Sequence, residues 1–390
     1  MISVEEAKRI MMEHVPSLDP DIVTVGSAAG YVFKQVIADH DHPLFDMSAV
    51  DGYAFASDGS MTEWNVVGEV AAGEVMARML RSGECARIFT GAMVPEGADT
   101  VVMQEFAVRS GNIMTHKDAR LRPGGNVRKK GEHVRQGEVV LNAGHRLTSA
   151  AKGLLASVGV TGVHMVRAPQ VLVINTGSEF ITGKELRPGL IFSSNDVILD
   201  DLLRQGGALA EIVQVPDDMD ELEKCIRSGA VHSDLIISTG GASVGDHDLV
   251  EAAVKRCGGR IVFHGVAQKP GKPMLFALFG KRPFFGLPGN PRAVMVLFWE
   301  YVLPFLRAMQ GAKDPWLVTD HLPAAHPLEV KGDRAEFRAA QVRGGKVSLL
   351  RDEGSHMLRS LIDADALAYA PADRRSWAEG DPIEVHYLPR

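Results

Sequence analysis

The chain has 390 residues, more than one hydrophobic core usually supports, so about two to four domains are expected. A hydrophobic share of 45% and a charged share of 23% describe an ordered soluble protein, while a formal charge of −7 and a pI near 6.1 argue against a nucleic-acid surface. Cys85, Cys225 and Cys257 show no C-x-x-C spacing, which predicts reduced thiols in a cytoplasm rather than a zinc or redox motif; no signal peptide or membrane span is read either.

In chain order, Ser3 and Glu6 form a capping box, with Val4, Ala7, Ile10 and Met11 at helical spacing behind it. Residues 21–38 have mixed periodicity, and His40-Asp41-His42-Pro43 then marks a domain crossing. From 44 to 138 the pattern is a small β domain, with strand-like runs at 64–70, 87–90 and 100–108 between glycine turns. Its loops 45–54 and 90–99 are longer than hairpins need. The segment 120–135 carries Arg120, Arg122, Arg128, Lys129, Lys130 and Arg135, and reads as a solvated loop, with an anion-facing rim as the alternative.

A helix is expected at 148–158, and Ala168-Pro169 marks the next boundary. Strands at 171–175, 208–215, 235–238, 260–263, 274–279 and 284–287 then alternate with helices at 195–205, 218–228 and 247–257, which predicts a parallel sheet covered on both faces. A final helix over 293–306 starts from Asn290 as N-cap with Pro291 in its first turn, and Pro304 is expected to bend or end it. After Pro315 short strands return, forming a second small β domain.

The chemistry concentrates in loops that follow strands. Thr176-Gly177-Ser178-Glu179 and Thr239-Gly240-Gly241-Ala242-Ser243 let backbone amides approach a phosphate. Lys269-Pro270-Gly271-Lys272-Pro273 sets two ammonium groups on a stiffened loop, and Pro288-Gly289-Asn290-Pro291 leads into a helix N-terminus suited to anions. Glu179, Asp217, Asp246 and Asp248 could hold Mg²⁺ beside phosphate, although each taken singly also reads as a cap or a solvated acid. The histidines show no zinc spacing, and G-x-S-x-G, H-E-x-x-H and a full Walker loop are missing from the sequence.

These motifs, with Asp46-x-Ser48-x-x-Asp51-Gly52-Tyr53-Ala54 and Thr90-Gly91-Ala92-x-Val94-Pro95-Glu96-Gly97-Ala98-Asp99, resemble the molybdopterin molybdenumtransferase (MoeA) family, which includes the gephyrin E domain, nearly end to end. The resemblance implies an elongated homodimer: a discontinuous linker region (1–43 and 139–168), an inserted β domain (44–138), an α/β molybdopterin-binding domain with a mostly parallel sheet (169–314), and a C-terminal β-barrel domain (315–390). It further implies insertion of molybdate into adenylylated molybdopterin with Mg²⁺-dependent release of AMP. The adenylyltransferase of the same pathway is the partner enzyme so implied. Carried over by position, Asp51, Thr90, Glu179, Asp217 and Asp248 are catalytic, Asp51 and Thr90 acting across the dimer. The resemblance likewise implies that Glu179, Asp217 and Asp248 hold metal. It implies that Thr176, Gly240, Gly241, Ser243, Lys269, Lys272, Pro288, Pro291 and Ser355 bind substrate.

Four positions depart from the family pattern: Ser178 replaces an acid, His133 an Asp, Gly265 a Lys and Ala339 an Arg. At the last, the strand pleat is expected to send the neighbouring Arg338 to the opposite face. The departures keep two alternatives open: a pterin- or oxyanion-binding paralogue with weak or tungstate-directed activity, and a non-catalytic dimeric scaffold.

Overall fold

The structure, a computed structural model, describes residues 1–57, 61–180, 188–241, 249–351, 354 and 356–389. Ser3 caps the first helix as predicted: its Oγ accepts the Glu6 N–H at 3.1 Å, and Val4–Met12 buries Val4, Ala7 and Met11. Two segments far apart in sequence then share one core. Pro20–Thr24 pairs antiparallel with Gly162–Val166, and Val36–Ile37 with Val139–Leu141, over a cluster that holds Val32, Val36, Leu155 and Val163.

Inserted between those segments is a six-stranded sheet in the order Thr100–Met103, Gly52–Phe55, Glu84–Ile88, Trp64–Val70, Ile113–His116, Ala107–Ser110. Alternation along Gly52–Phe55 feeds two cores: Ala54 packs with Val70, Ala86 and Ile88, whereas Tyr53 and Phe55 pack with Trp64, Cys85 and Met114. The run at 100–108 is not one strand. A 3₁₀ turn, Gln104–Phe106, splits it, and the Gln104 N–H makes the last bond in register with the neighbouring strand, to Asp51 O at 2.9 Å.

The second six-stranded sheet runs Leu209–Val215, Gln170–Thr176, Leu235–Thr239, Arg282–Leu287, Leu275–Phe279, Arg260–His264. The first four strands are mutually parallel, and Leu275–Phe279 is antiparallel to both its neighbours, so the sheet is mixed. Both faces are covered: Val171, Val173, Ile237 and Phe285 point into one core, Leu172, Ile174, Ile236 and Phe284 into the other.

Two helices differ from expectation. Met219–His232 continues past residue 228, because Gly229 is no stop signal; a Cβ there would lie 2.6 Å from Leu172 Cδ2, so glycine lets the helix sit against the sheet. Asp218 caps this helix, accepting the N–H groups of Asp220 and Glu221 at 3.0 Å. The last helix begins at Pro291–Leu297, widens into a π turn at Phe298–Val302 and resumes as Leu303–Met309. Pro304 therefore does not end it: the Leu303 N–H reaches back to Phe298 O, and this wide turn accommodates the donor that proline lacks. Asn290 flanks the start without a side-chain cap bond.

The C-terminal strands form a sheet ordered Gln268–Lys269, Ala335–Arg343, Ala366–Ala370, Pro382–Tyr387, Thr319–Pro323. Lys346–Leu349 pairs antiparallel with Ala335–Arg343 and bridges back to the end of Thr319–Pro323, where the Ala325 N–H donates to Val347 O at 2.8 Å, and the first strand comes from the lysine loop of the α/β region.

Candidate functional site

The parallel strands end level with one another, Asn175 beside Thr239 and Thr239 beside Leu287. From Gln170–Thr176 the chain leaves to one side of the sheet, through helix Asn195–Gln205 to Leu209–Val215, and from Leu235–Thr239 to the other, so a crevice opens between them. It is a cleft of about 820 Å³, whose wall includes Thr176, Glu179, Asp217, Gly240, Gly241, Pro288 and Pro291. The structure thus brings seven of the predicted residues together.

Asn195 clamps the floor. Its Nδ2 donates to Thr239 Oγ1 at 2.9 Å and to Gly289 O at 2.8 Å, while Thr239 Oγ1 donates to Pro288 O at 3.3 Å. Sequence reading took Asn195 for an ordinary helix start. Asn175 Oδ1 and Asn195 Oδ1 are buried without a partner among the described residues, which leaves unused acceptors beneath the cleft. Gly240, at φ +86°, is required sterically, because a Cβ would lie 2.2 Å from Thr176 O.

Ser178 and Asp217 hold one another. The Ser178 N–H donates to Asp217 Oδ2 at 3.2 Å, and the Asp217 N–H donates to Ser178 Oγ at 3.1 Å. The backbone amide of residue 178 thus meets the Asp217 carboxylate, while the serine hydroxyl holds the Asp217 main chain and adds no further charge. Ser243, Asp248 and Ser355, with Asp246, lie outside the described residues. Among the described residues no group of three or more His, Cys, Asp or Glu could hold a metal; Glu179 and Asp217 both line the larger cleft.

A second cleft of about 280 Å³ adjoins the first, sharing Pro273, Pro288 and Asn290. It is basic, lined by Lys269, Lys272, Arg292, Arg334 and Arg338 with Glu336 as the acid. Lys269 Nζ lies 3.3 Å from Glu336 Oε1. Burial pulls the Arg292 and Arg338 guanidinium groups below their ordinary pKa. Sequence reading placed Arg338 on the face away from the site, and the structure corrects this. Ala335, Phe337 and Ala339 turn into the core, whereas Glu336 and Arg338 line the cleft, so an arginine remains there despite Ala339.

Asp51 and Thr90 meet each other but line neither cleft of this chain. Asp51 Oδ1 accepts the Thr90 N–H at 2.8 Å and Thr90 Oγ1 at 2.7 Å, which holds the carboxyl below its usual range. Two cations of the basic segment are engaged within the same region: Lys129 Nζ lies 2.8 Å from Asp46 Oδ2, and Lys130 Nζ 3.4 Å from Asp41 Oδ2. The other departures also lie outside both clefts. The His133 N–H donates to His42 O at 3.1 Å, and Gly265 sits at φ +89° with a built Cβ 3.1 Å from Met1 Cγ.

Fold and site together define an α/β protein that carries acids in one cleft at its sheet's switch point and cations in the next. Comparison with known proteins makes the family specific. Residues 2–159 match the MoeA N-terminal region (domain I and II), 178–308 a probable molybdopterin binding domain, and 321–388 the MoeA C-terminal region (domain IV). The chain is 33% identical to the molybdopterin molybdenumtransferase of Nostoc sp., covering 100% of this chain and 94% of that one. It is 31% identical to the Haemophilus influenzae protein of the same name, over 99% and 98% of the two chains. A crystal structure of the MoeA protein from Pyrococcus horikoshii OT3 superposes over 100% of both chains with a TM-score of 0.85 at 26% identity. The chain belongs to the molybdopterin molybdenumtransferase family, enzymes of molybdenum cofactor biosynthesis. Among the described residues no helix is long and apolar enough to cross a membrane.

Proposed function

We propose that the protein inserts molybdate into adenylylated molybdopterin with release of AMP, working as a homodimer. The observation that carries this reading is the adjacency of the two clefts: an acid-bearing one of about 820 Å³ shares Pro273, Pro288 and Asn290 with a basic one of about 280 Å³. The larger suits a phosphate-linked substrate, and the smaller an oxyanion delivered beside it.

Glu179 and Asp217 fit Mg²⁺, which takes one or two carboxylates together with ligand oxygens, and Asp248 is proposed as a third acid. Bound there, the ion would neutralise phosphate charge as the adenylate is cleaved. The chain's own residues do the rest. Amides around Gly240 and Gly241, with Ser243, receive phosphate oxygens, and Thr176 backs that loop through a 3.4 Å bond from its Oγ1 to Thr239 O. Lys269 and Lys272, with Ser355, hold the oxyanion electrostatically, while Pro288 and Pro291 shape the wall between the clefts. Asp51 and Thr90 are proposed to complete the site of the partner protomer.

The test is reconstitution. Purified protein with adenylylated molybdopterin, Mg²⁺ and molybdate should activate a cofactor-free molybdoenzyme, and Asp217→Asn should not. Activation that persists at the rate seen without this protein would sink the proposal.

A further inference from the structure

The lysine loop is held by two buried groups that have no role in the chemistry above, Gln268 at the wall of the basic cleft and Tyr301 beyond it. Gln268 and Tyr301 are both fully buried. Gln268 Nε2 donates to Pro270 O at 2.8 Å, and the Tyr301 hydroxyl donates to Gln268 Oε1. The carbonyl of Pro270 can only accept, so the amide must present its nitrogen there and its oxygen to Tyr301. The arrangement leaves both polar ends of the glutamine satisfied. Burial also pushes the Tyr301 phenol well above its ordinary pKa, which keeps the hydroxyl a donor.

The same helix supports the loop at a second point, one turn earlier. Gly271, at φ +91°, packs so closely on Leu297 that a Cβ would meet its side chain at 2.7 Å. Leu297 closes the first α segment, and Tyr301 lies in the π turn that follows. The π turn brings its own buried anchor: Glu300 Oε2 lies 2.6 Å from Lys8 Nζ, and Glu300 Oε1 lies 2.8 Å from His386 Nδ1. One helix therefore joins the N-terminal helix and the C-terminal sheet to the back of the basic cleft.

We propose that Tyr301 and Gln268 are positioning residues, which set the Lys269–Pro273 loop so that its two ammonium groups converge on one oxyanion. The inference rests on the proposed oxyanion role of the basic cleft. It goes beyond that role in assigning the loop's geometry to a buried pair about which no surface residue gives a hint.

The test compares Tyr301→Phe, which removes one hydroxyl and keeps the ring, and Gln268→Glu, which turns a carboxylate toward the Pro270 carbonyl, with Leu306→Ala, a core truncation on the same helix away from the loop. Molybdate is the probe, measured by calorimetry and as KM in the transfer assay, with hydrogen exchange followed on the peptide spanning 266–275. Both loop variants are expected to raise KM for molybdate about tenfold, to leave kcat within about threefold, and to speed exchange in that peptide selectively. Leu306→Ala should lower thermal stability without moving the molybdate KM. Unchanged exchange and unchanged molybdate affinity in Tyr301→Phe and Gln268→Glu would overturn the positioning role. If exchange accelerates as expected but the wild-type protein binds no molybdate, positioning stands and the oxyanion reading of the cleft fails instead.

Discussion

Replacing Gly240 by alanine should damage turnover far more than stability. The new Cβ would sit 2.2 Å from Thr176 O and 2.8 Å from Thr176 Oγ1, where real Cβ contacts essentially never fall below 3.0 Å. Restoring an ordinary contact requires the loop to move by roughly 1 Å, and a misplacement of that size near a reacting group costs about 100-fold in rate. Left-handed backbone adds about 1–2 kcal/mol of strain for a residue with a Cβ. Gly258→Ala separates the two effects, because Gly258 has φ +81° with nothing within 4 Å. Gly258→Ala should lose only the stability that left-handed strain costs and keep its rate, whereas Gly240→Ala should lose more stability and also lose rate in an AMP-release assay. A Gly240→Ala protein within about threefold of wild type would refute the view that the close approach of this loop to Thr176 sets the site.

Three further outcomes follow from the geometry. Burial pushes the Glu300 carboxyl up, but His386 and Lys8 outweigh it and hold the pKa below 4.5; burial pulls His386 down, but Glu300 and Glu384 outweigh it and raise the pKa above 6.5. The contribution of Glu300 is therefore present above 4.5 and fades as pH falls through its lowered value, while that of His386 is complete below 6.5 and fades as pH rises through its raised value. Glu300→Gln should cost about 3–5 kcal/mol, with a Tm gap to wild type that narrows as pH rises through the raised His386 value; a gap that stays constant as pH rises contradicts this assignment. Ala339→Arg should fail to fold or lose more than about 3 kcal/mol, since it buries a guanidinium in the core, whereas Arg338→Ala should fold normally and weaken molybdate binding; equal stability of the two in urea would reverse the assigned faces. Mixing inactive Asp51→Ala and Asp217→Ala protomers should restore about a quarter of wild-type activity if each cleft draws on both subunits of a two-fold dimer, and none if each chain is self-sufficient.

Periodicity and punctuation made much of this architecture legible. The strand at 171–175 and the helix at 195–205 were readable because buried parallel strands are continuous apolar runs and exposed helices are amphipathic. Where reading failed, a tertiary contact had overridden a local signal. The helix expected over 218–228 runs on to His232 because Gly229 serves the approach to Leu172, and Pro304, expected to bend or end the last helix, sits behind a π turn without ending it. The glycine loops and acids of the larger cleft were visible because their residue types are rare in that pattern. Asn195, Arg292, Arg334 and Arg338 were not, since only the folded chain reveals which buried amide or strand face meets the loops. The pleat at Ala339 was read correctly, but its consequence was inverted, because which face met the cleft depends on the pairing of Lys269 with Glu336 across two segments.

The most direct test of the transfer reaction is stoichiometric. Purified protein, adenylylated molybdopterin and Mg²⁺ should be mixed with and without molybdate, with AMP and dithiolene-bound molybdenum counted together. The two should rise in step, one AMP for each molybdenum bound, and both should vanish in Asp217→Asn. Molybdenum loading without AMP, or no AMP above the protein-free control, would contradict the reaction proposed for this site.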